Sequence, residues 1–250
     1  MMNKLKYLLI GLSIAFFANC KGPQALLKTS AETVAVSQQL KPDTTLENLV
    51  HTYKVELDKE MNQVITFAKT DLFKGKPEGK LGNLICDLSI EIAEKHGAAP
   101  IDLCIMNNGG FRAPIYQGDV TKRTVFELMP FDNSLMVATL SGDGMKEFLA
   151  YLCEKPEAVS GLKMTIDNGS PVSVMINGQP FDPDKSYRVL TTDYLYNGGS
   201  RMYFFQKSTK TDDLGLLLRD AIMEYFVEAD TISADIENRI QIAETANQDQ

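Results

Sequence analysis

The feature that most constrains this fold is a largely apolar run, residues 101–106, that leads straight into the segment Asn107–Arg112, with sequence NNGGFR. A short apolar run that ends at glycines is typical of a buried strand. Gly109 and Gly110 allow the backbone to take left-handed conformations or to approach a ligand closely. The sequence therefore predicts a sheet whose buried strand ends in a polar, glycine-rich loop.

The side chains of this loop and of the segment Pro130–Asn133 indicate a site for a ligand that is both anionic and aromatic. Arg112 carries a planar guanidinium, which suits phosphate or carboxylate. The aromatic and amide side chains of Phe131, Asn133 and Asn107 suit the face and the edge of a flat heterocycle. A nucleotide combines these properties. The alternative from these residues alone is a tight turn beside a core phenylalanine.

Helical and strand patterns alternate along residues 44–243 and predict one α+β domain, followed by a polar tail over residues 244–250. Apolar residues spaced by three and four indicate that the first helix is amphipathic, with a face that packs within the domain or, alternatively, against a partner subunit. Helices are expected over residues 44–60, 81–96, 144–153 and 214–227, a helical turn over 125–129, strands over 64–68, 101–106, 135–140, 162–166, 172–176 and 187–191, and hairpin turns at 167–170 and 177–178.

Six blocks between residues 80 and 200 resemble, in order and spacing, the C-terminal domain of the 5′-nucleotidase / UDP-sugar hydrolase family. The resemblance implies layered helices over stacked mixed sheets. It also implies that this domain binds the base and phosphates of a nucleotide, while a separate domain holds two metals and carries out hydrolysis. The blocks are Leu81–Asp87, Asn107–Arg112, Gly118–Thr121, Pro130–Asn133, Ser160–Leu162 and Asp193–Gly199.

The same resemblance implies roles for individual residues. Phe131 and Tyr194 resemble the two aromatics that enclose the base. Asn133 resembles an amide at the base edge, and Asn107 resembles a polar residue that lines the site. Arg112 resembles one of the arginines at the phosphate end.

Two positions depart from the family pattern. Where the family has an arginine ahead of the first block, this chain has Pro77, with Lys76 as the nearest cation. Where the family has Gly-Gly-Asp after the second aromatic, this chain ends the motif in Ser200. Both changes predict weaker contacts to phosphate and ribose. With Gly161, which matches a backbone position beside the base, the predicted substrate-binding residues are Asn107, Gly109, Gly110, Arg112, Phe131, Asn133, Gly161, Tyr194 and Ser200.

No catalytic or metal-binding motif is recognised in the sequence. A two-metal phosphoesterase centre needs clustered His, Asp and Asn ligands, whereas the 2 histidines, His51 and His96, stand apart from each other and from any Asp-x-His pattern. The segments Ser141–Gly144 and Asp182–Asp184 are interpreted as a helix cap and a turn. We therefore expect no cofactor in this chain, divalent metals only in a separate metallophosphoesterase, and no hydrolysis by the chain alone.

The first residues predict export. A basic start precedes an apolar run over residues 7–17, which is too short for a membrane span, and Phe17–Cys20 resembles a bacterial lipobox. This pattern predicts a signal peptide over residues 1–19, lipidation of Cys20 and a tether over residues 20–43. The protein would then be anchored by lipid in the bacterial cell envelope, at the periplasmic or outer-membrane face. The alternative is an ordinary signal peptide with a chance cysteine.

The remaining composition limits the partners. A net charge of −8 argues against nucleic-acid binding, which needs a basic face, although a mononucleotide needs only a local cation. Cys86 and Cys104 lie in apolar runs and are expected to act as small core residues. A disulfide within the set Cys86, Cys104 and Cys153 is the alternative.

Three functions follow from these observations. The leading hypothesis is the nucleotide- or nucleoside-recognition domain of a split 5′-nucleotidase that works beside a separately encoded metallophosphoesterase. The second is a stand-alone surface lipoprotein that binds nucleosides or nucleotides. The third is a scaffold lipoprotein with a degenerate site.

Overall fold

The computed structural model describes Thr33, residues 43–98 and residues 100–243. Contacts divide the described residues into two units, one that includes residues 43–49 and one that begins at residue 50. The predicted signal peptide, Cys20, the tether apart from Thr33 and Asp43, and the tail over residues 244–250 lie outside the described residues. Within the described ranges, no helix has the length and apolar character needed to cross a bilayer.

Six α-helices and twelve strands form in the described part of the chain. The helices are α1 (Thr44–Met61), α2 (Lys80–Ala93), α3 (Lys122–Leu128), α4 (Gly142–Glu154), α5 (Asp193–Tyr196) and α6 (Leu218–Glu228). The strands are β1 (Val64–Ala68), β2 (Leu103–Met106), β3 (Gly118–Thr121), β4 (Ser134–Leu140), β5 (Ala158–Ser160), β6 (Leu162–Asp167), β7 (Ser170–Ile176), β8 (Gln179–Pro180), β9 (Tyr187–Thr192), β10 (Lys210–Leu217), β11 (Thr231–Ile232) and β12 (Ile240–Ile242).

The strands form three mixed sheets. The central sheet has the order β10-β4-β9-β2-β5, in which β2 and β9 are parallel and the other neighbours are antiparallel. A three-stranded sheet has the order β11-β1-β3, and a four-stranded sheet has the order β12-β6-β7-β8. The α+β class predicted from the sequence is confirmed.

The inner strands β2, β4 and β9 of the central sheet are buried on both faces, since successive side chains point to opposite sides of the sheet and both sides are covered. In β2, Cys104 and Met106 join the core under α2 and α6, while Leu103 and Ile105 join a second core under α4. A strand buried in this way needs apolar residues at consecutive positions. This requirement explains the apolar run that ends at the glycine-rich loop.

Local turn chemistry produced the most accurate predictions. Asn168-Gly169 and Asn177-Gly178 take left-handed φ angles of +46°, +75°, +48° and +74°, as the tight hairpin turn between two strands requires. Ser141 caps α4, with its hydroxyl accepting from the Gly144 backbone N–H at 3.4 Å.

The predicted late helix over residues 214–227 begins too early. Residues 214–217 belong to β10, in which Leu217 pairs with Ser134 of β4. The strand is irregular there, and Gly215 has a φ of +61°. Pairing with a distant strand outweighs the helical spacing of the leucines, so the helix starts only at Leu218.

The cysteines behave as core residues. Cys86 and Cys104 are fully buried, Cys153 is half-buried, and all three are free thiols. The core role predicted for Cys86 and Cys104 is therefore confirmed, and no disulfide links the three in this structure.

Candidate functional site

One edge of the central sheet gathers the ends of all five of its strands. At this edge β2 and β9 end, β4 and β5 begin, and β10 runs into α6, because Leu135 pairs with Thr192, Met106 with Ala158, and Leu217 with Ser134. Ligands of α/β folds commonly bind outside the carboxyl ends of parallel strands. The glycine-rich loop after β2 lies at this edge.

The glycine-rich loop, residues 107–112, is a hydrogen-bonded turn supported from behind by two charged side chains. The Gly110 N–H donates to the Asn107 carbonyl at 2.9 Å. The Asn108 N–H donates to the carboxylate of buried Glu157 at 2.6 Å. Lys74 Nζ donates to the Phe111 carbonyl at 3.1 Å, so Lys74 holds the loop. Lys76, the cation nearest in sequence to the position of the missing arginine, does not line the cavity that opens beside the loop.

A cavity of about 310 Å³ opens beside this loop. Seven of the nine predicted substrate-binding residues line it, and they come from three separate segments: Asn107, Gly109, Gly110, Arg112, Phe131, Asn133 and Tyr194. The sequence analysis did not predict the other lining residues, most of which are apolar: Met106, Phe111, Met129, Thr192 and Leu218.

The two predicted stacking rings are exposed, unlike the aromatic of the glycine-rich loop. Phe131 is 39% exposed and Tyr194 is 51% exposed, whereas Phe111 is fully buried in the core. The Tyr194 ring lies against the backbone of Gly199, where an added Cβ would stand 2.5 Å from Tyr194 Cε1. The cavity therefore presents two accessible aromatic faces, one of which is supported by a glycine.

Asn133 is fixed by a carboxylate from the segment that carries Tyr194. Asn133 Nδ2 donates to Asp193 Oδ1 at 3.0 Å, and the same oxygen accepts from the Tyr194 backbone N–H at 2.7 Å. This contact uses one amide hydrogen of Asn133. It leaves the amide oxygen and the second hydrogen for a ligand that offers both a donor and an acceptor.

Arg112 is the one charged side chain among the described residues that line the cavity. Its Nη1 donates to the Gly109 carbonyl at 3.3 Å, and its Cζ lies 5.5 Å from the centroid of the Phe131 ring. The remaining guanidinium N–H groups provide donors for an anion at the mouth of the cavity.

Gly161 and Ser200 do not line this cavity. Gly161 borders a different cavity of about 510 Å³; its φ of +73°, and an added Cβ only 2.3 Å from the Asp102 carbonyl, explain the glycine by backbone geometry. Ser200 lies in a left-handed turn with a φ of +55°, and its carbonyl accepts from the Tyr151 hydroxyl at 3.2 Å.

Arg219, at the start of α6, contacts the segment of Phe131 and was not predicted from the sequence. Its guanidinium donates to the Phe131 carbonyl at 3.4 Å and to the Asp132 carboxylate at 2.5 Å. Arg219 follows Phe131 by 88 positions, and no local pattern connects the two residues. Only the pairing of β10 with β4 brings them together.

No group of three or more His, Cys, Asp or Glu side chains in the described ranges is arranged to hold a metal ion. His96 Nε2 lies 2.9 Å from Glu224, which also pairs with Lys95. The hydrogen bond from Lys95, followed by that from His96, lowers the pKa of Glu224. This cluster is a surface ion-pair network and lies apart from the cavity lining.

This chain is similar in sequence to one protein family and to several individual proteins. Residues 64–207 match the model of the family described as 5′-nucleotidase, C-terminal domain. Protein UshA of Yersinia enterocolitica is 27% identical over 179 residues, which cover 64% of this chain and 32% of that protein. A protein of Listeria monocytogenes named as a cell wall protein is 26% identical over 200 residues, covering 69% of this chain and 25% of the relative.

A solved structure extends the likeness to the fold. The 5′-nucleotidase precursor of Thermus thermophilus superposes with a TM-score of 0.69 at 28% identity, covering 80% of this chain and 43% of that one. In both comparisons the match covers less than half of the other protein: 32% of the Yersinia relative and 43% of the Thermus structure.

Proposed function

The chain belongs to the family of 5′-nucleotidase C-terminal domains, and on this basis we propose that its cavity of about 310 Å³ binds a nucleotide or nucleoside. The observation that carries the proposal is the convergence of Phe131, Asn133, Tyr194 and Arg112 on one cavity, although they lie in three separate segments. Two accessible aromatic faces, an oriented amide and a guanidinium suit the base faces, the base edge and the phosphate of such a ligand.

In this proposal each side chain has a separate task. Phe131 and Tyr194 stack on opposite faces of the base. Asn133, held by Asp193, forms hydrogen bonds with the base edge, and Asn107 lines the pocket. Arg112 contacts the phosphate or the ribose end.

We further propose that the domain acts beside a separately encoded metallophosphoesterase. Such a partner would supply the metals that activate water and neutralise phosphate charge, while this chain holds the base and orients the phosphate. The proposal is supported by the match of residues 64–207 to the 5′-nucleotidase C-terminal domain, the domain that the family resemblance assigns to nucleotide binding rather than to hydrolysis.

A second candidate is a stand-alone nucleoside-binding protein. It is favoured by the single guanidinium among the described lining residues and by Ser200, which lies outside the cavity where the family pattern has an aspartate. Such a site makes fewer contacts to phosphate and ribose, so the base would dominate recognition. A scaffold protein without a ligand is the third candidate.

The deciding experiment is a titration of the purified chain with adenosine, AMP and a UDP-sugar, followed by thermal unfolding and calorimetry. A ligand at 100 times its Kd stabilises the fold by about 2.7 kcal/mol. Tighter binding of AMP than of adenosine supports the nucleotide hypothesis, and equal binding supports the nucleoside hypothesis. If no ligand stabilises the fold, the stand-alone binding protein is refuted, and either the site is degenerate, as in the scaffold, or it needs its partner.

The split-enzyme proposal needs a second test. A neighbouring gene should encode a metallophosphoesterase domain that lacks its own C-terminal half, and mixing the two proteins should raise nucleotide turnover. The proposal is wrong if this chain never changes the partner's rate.

We also propose that the chain is exported and anchored by lipid at Cys20. The leader pattern supports this, as does a relative named as a cell wall protein. Mass spectrometry of the mature N-terminus tests it, because a lipidated Cys20 adds the mass of its acyl chains and an ordinary signal peptide leaves an unmodified residue.

A further inference from the structure

The segment that carries the exposed Phe131 ring is held by the start of α6. Arg219 Nη2 donates to Asp132 Oδ1 at 2.5 Å, and its Nη1 donates to the Phe131 carbonyl at 3.4 Å. The Leu218 backbone N–H donates to the Asn133 carbonyl at 2.9 Å. Two consecutive residues of α6 therefore contact three consecutive residues of the segment that carries the lining residues Phe131 and Asn133.

The Arg219 side chain is itself fixed. It is only 13% exposed, and its Cζ lies 4.7 Å from the centroid of the Phe126 ring on α3. An arginine stacked on an aromatic ring keeps its planar fork in one orientation. Through Arg219, the segment of Phe131 is thus linked to Phe126 on α3 as well as to α6.

Phe131 depends on this link because its own side chain is not buried. The residue is 39% exposed, and the ring contact already described is the one with Arg112, whose Cζ lies 5.5 Å from the ring centroid. Its carbonyl and the carboxylate of Asp132 are, by contrast, bound to Arg219. A ring that is held in its binding orientation before the ligand arrives avoids the cost of ordering it on binding.

We propose that Arg219 is a positioning residue that sets the orientation of the Phe131 ring and so determines how tightly the cavity binds a base. The proposal rests on the proposed nucleotide-binding function only where ligand affinity is measured; the orientation of the ring can be measured without a ligand. Lysine keeps the charge of Arg219 but cannot contact the Phe131 carbonyl and the Asp132 carboxylate with one planar fork.

The test uses a tryptophan reporter in the full chain, which contains no tryptophan of its own. In Phe131→Trp, collisional quenching of the indole by acrylamide measures how firmly the ring is held, without any ligand. Adding Arg219→Lys or Asp132→Asn should raise the quenching constant. In the chain that keeps Phe131, Arg219→Lys should weaken binding of adenosine and AMP roughly three- to tenfold, as expected when one side chain must be ordered on binding.

Matched variants separate positioning from stability. Arg188 is also partly buried and donates to the carbonyls of Ala98 and Pro100, but it lies at the opposite end of β9. Arg188→Lys should leave both quenching and ligand affinity unchanged. Asp132 is 76% exposed, so Asp132→Asn keeps the test valid even where Arg219→Lys fails to fold.

The outcomes distinguish failure of the role proposed for Arg219 from failure of the proposed binding function. Unchanged quenching in both Arg219→Lys and Asp132→Asn overturns the proposal, and so does raised quenching with unchanged affinity. Failure of the unsubstituted chain to bind adenosine or AMP refutes the proposed function instead. In that case raised quenching still supports Arg219 as the residue that orients Phe131.

Discussion

Replacing Phe131 with alanine gives the sharpest test of the cavity, because the ring contributes little to the core. It is 39% exposed, so its removal should cost less stability than the roughly 3–5 kcal/mol of a fully buried phenylalanine. Base–aromatic stacking, by contrast, contributes about 1–3 kcal/mol per base. We therefore expect Phe131→Ala to affect ligand binding more than folding.

The size of the effect follows from linkage. A ligand present at 100 times its Kd stabilises the unsubstituted chain by about 2.7 kcal/mol. A stacking loss of about 2 kcal/mol raises Kd roughly thirtyfold, so the same concentration is only about 3 times the new Kd and stabilises by about 0.9 kcal/mol. For a domain of this size the ligand-induced rise in Tm should fall from roughly 5–11 °C to roughly 2–4 °C.

The assay is thermal unfolding with and without adenosine or AMP. Phe67 on β1 is 42% exposed and does not line the cavity, so Phe67→Ala is a matched control that removes a ring of similar exposure. The ligand-induced rise in Tm should stay complete in Phe67→Ala. A rise in Phe131→Ala that equals that of the unsubstituted chain would refute the stacking role of this ring.

Three further predictions concern other parts of the structure. Gly199→Ala should weaken base binding at least as much as removal of the Tyr194 ring, because the new Cβ would stand 2.5 Å from both Cε1 and the backbone carbonyl oxygen of Tyr194 and would displace the whole residue; calorimetry measures the loss. Arg239→Met removes a buried guanidinium that pairs with Asp87 at 2.6 Å and should destabilise the fold by about 3 kcal/mol in urea unfolding. This is the low end of the range for a broken buried ion pair, since Asp87 is half-exposed and water can solvate it once its partner is gone. Burial raises the pKa of the Cys104 thiol well above its ordinary value of 9.0. Above about pH 9 the thiol therefore loses its proton in the unfolded chain but keeps it in the folded chain, so the free energy of unfolding, measured in urea, should fall as pH rises.

Controls accompany these predictions. Gly144→Ala adds a methyl group at ordinary contact distance, 3.4 Å from the Leu140 side chain, and should leave ligand affinity unchanged. Arg239→Lys keeps the charge, and stability equal to that of Arg239→Met would show that the charge contributes nothing. In Cys104→Ala the alkaline slope of stability should be shallower than in the parent, and an identical slope would contradict the assignment to Cys104.

The sequence predicted the parts of this fold that local chemistry determines. Asn177-Gly178 has to form a tight turn, and consecutive apolar residues have to lie in a strand buried on both faces. The predicted Val64–Ala68 strand matches β1, and the bounds of the predicted first helix match α1 to within a residue. Each of these features depends on neighbours within a few positions of the chain. No residue of α1 is buried, however, so the predicted packing of its apolar face within the domain is wrong for the described residues.

Features that depend on distant pairing escaped prediction. The boundary between β10 and α6 is set by β4, whose residues lie far back in the sequence. The contact between Arg219 and Phe131 exists only because of that pairing. The resemblance likewise named nine site residues, and the sheet geometry gathers seven of them while Gly161 and Ser200 lie elsewhere.

The convergence of all five central strands on one edge has a consequence for redesign. The segments at that edge carry the cavity, whereas the register of the strands is set by side chains buried on both faces of the sheet. Loops held by a rigid scaffold tolerate exchange better than the scaffold does. The exposed residues of the segments at that edge, such as Arg112, Phe131 and Tyr194, can therefore be varied together in a library to change ligand preference, while the buried Phe111 and Leu195 of the same segments are kept so that the fold is retained.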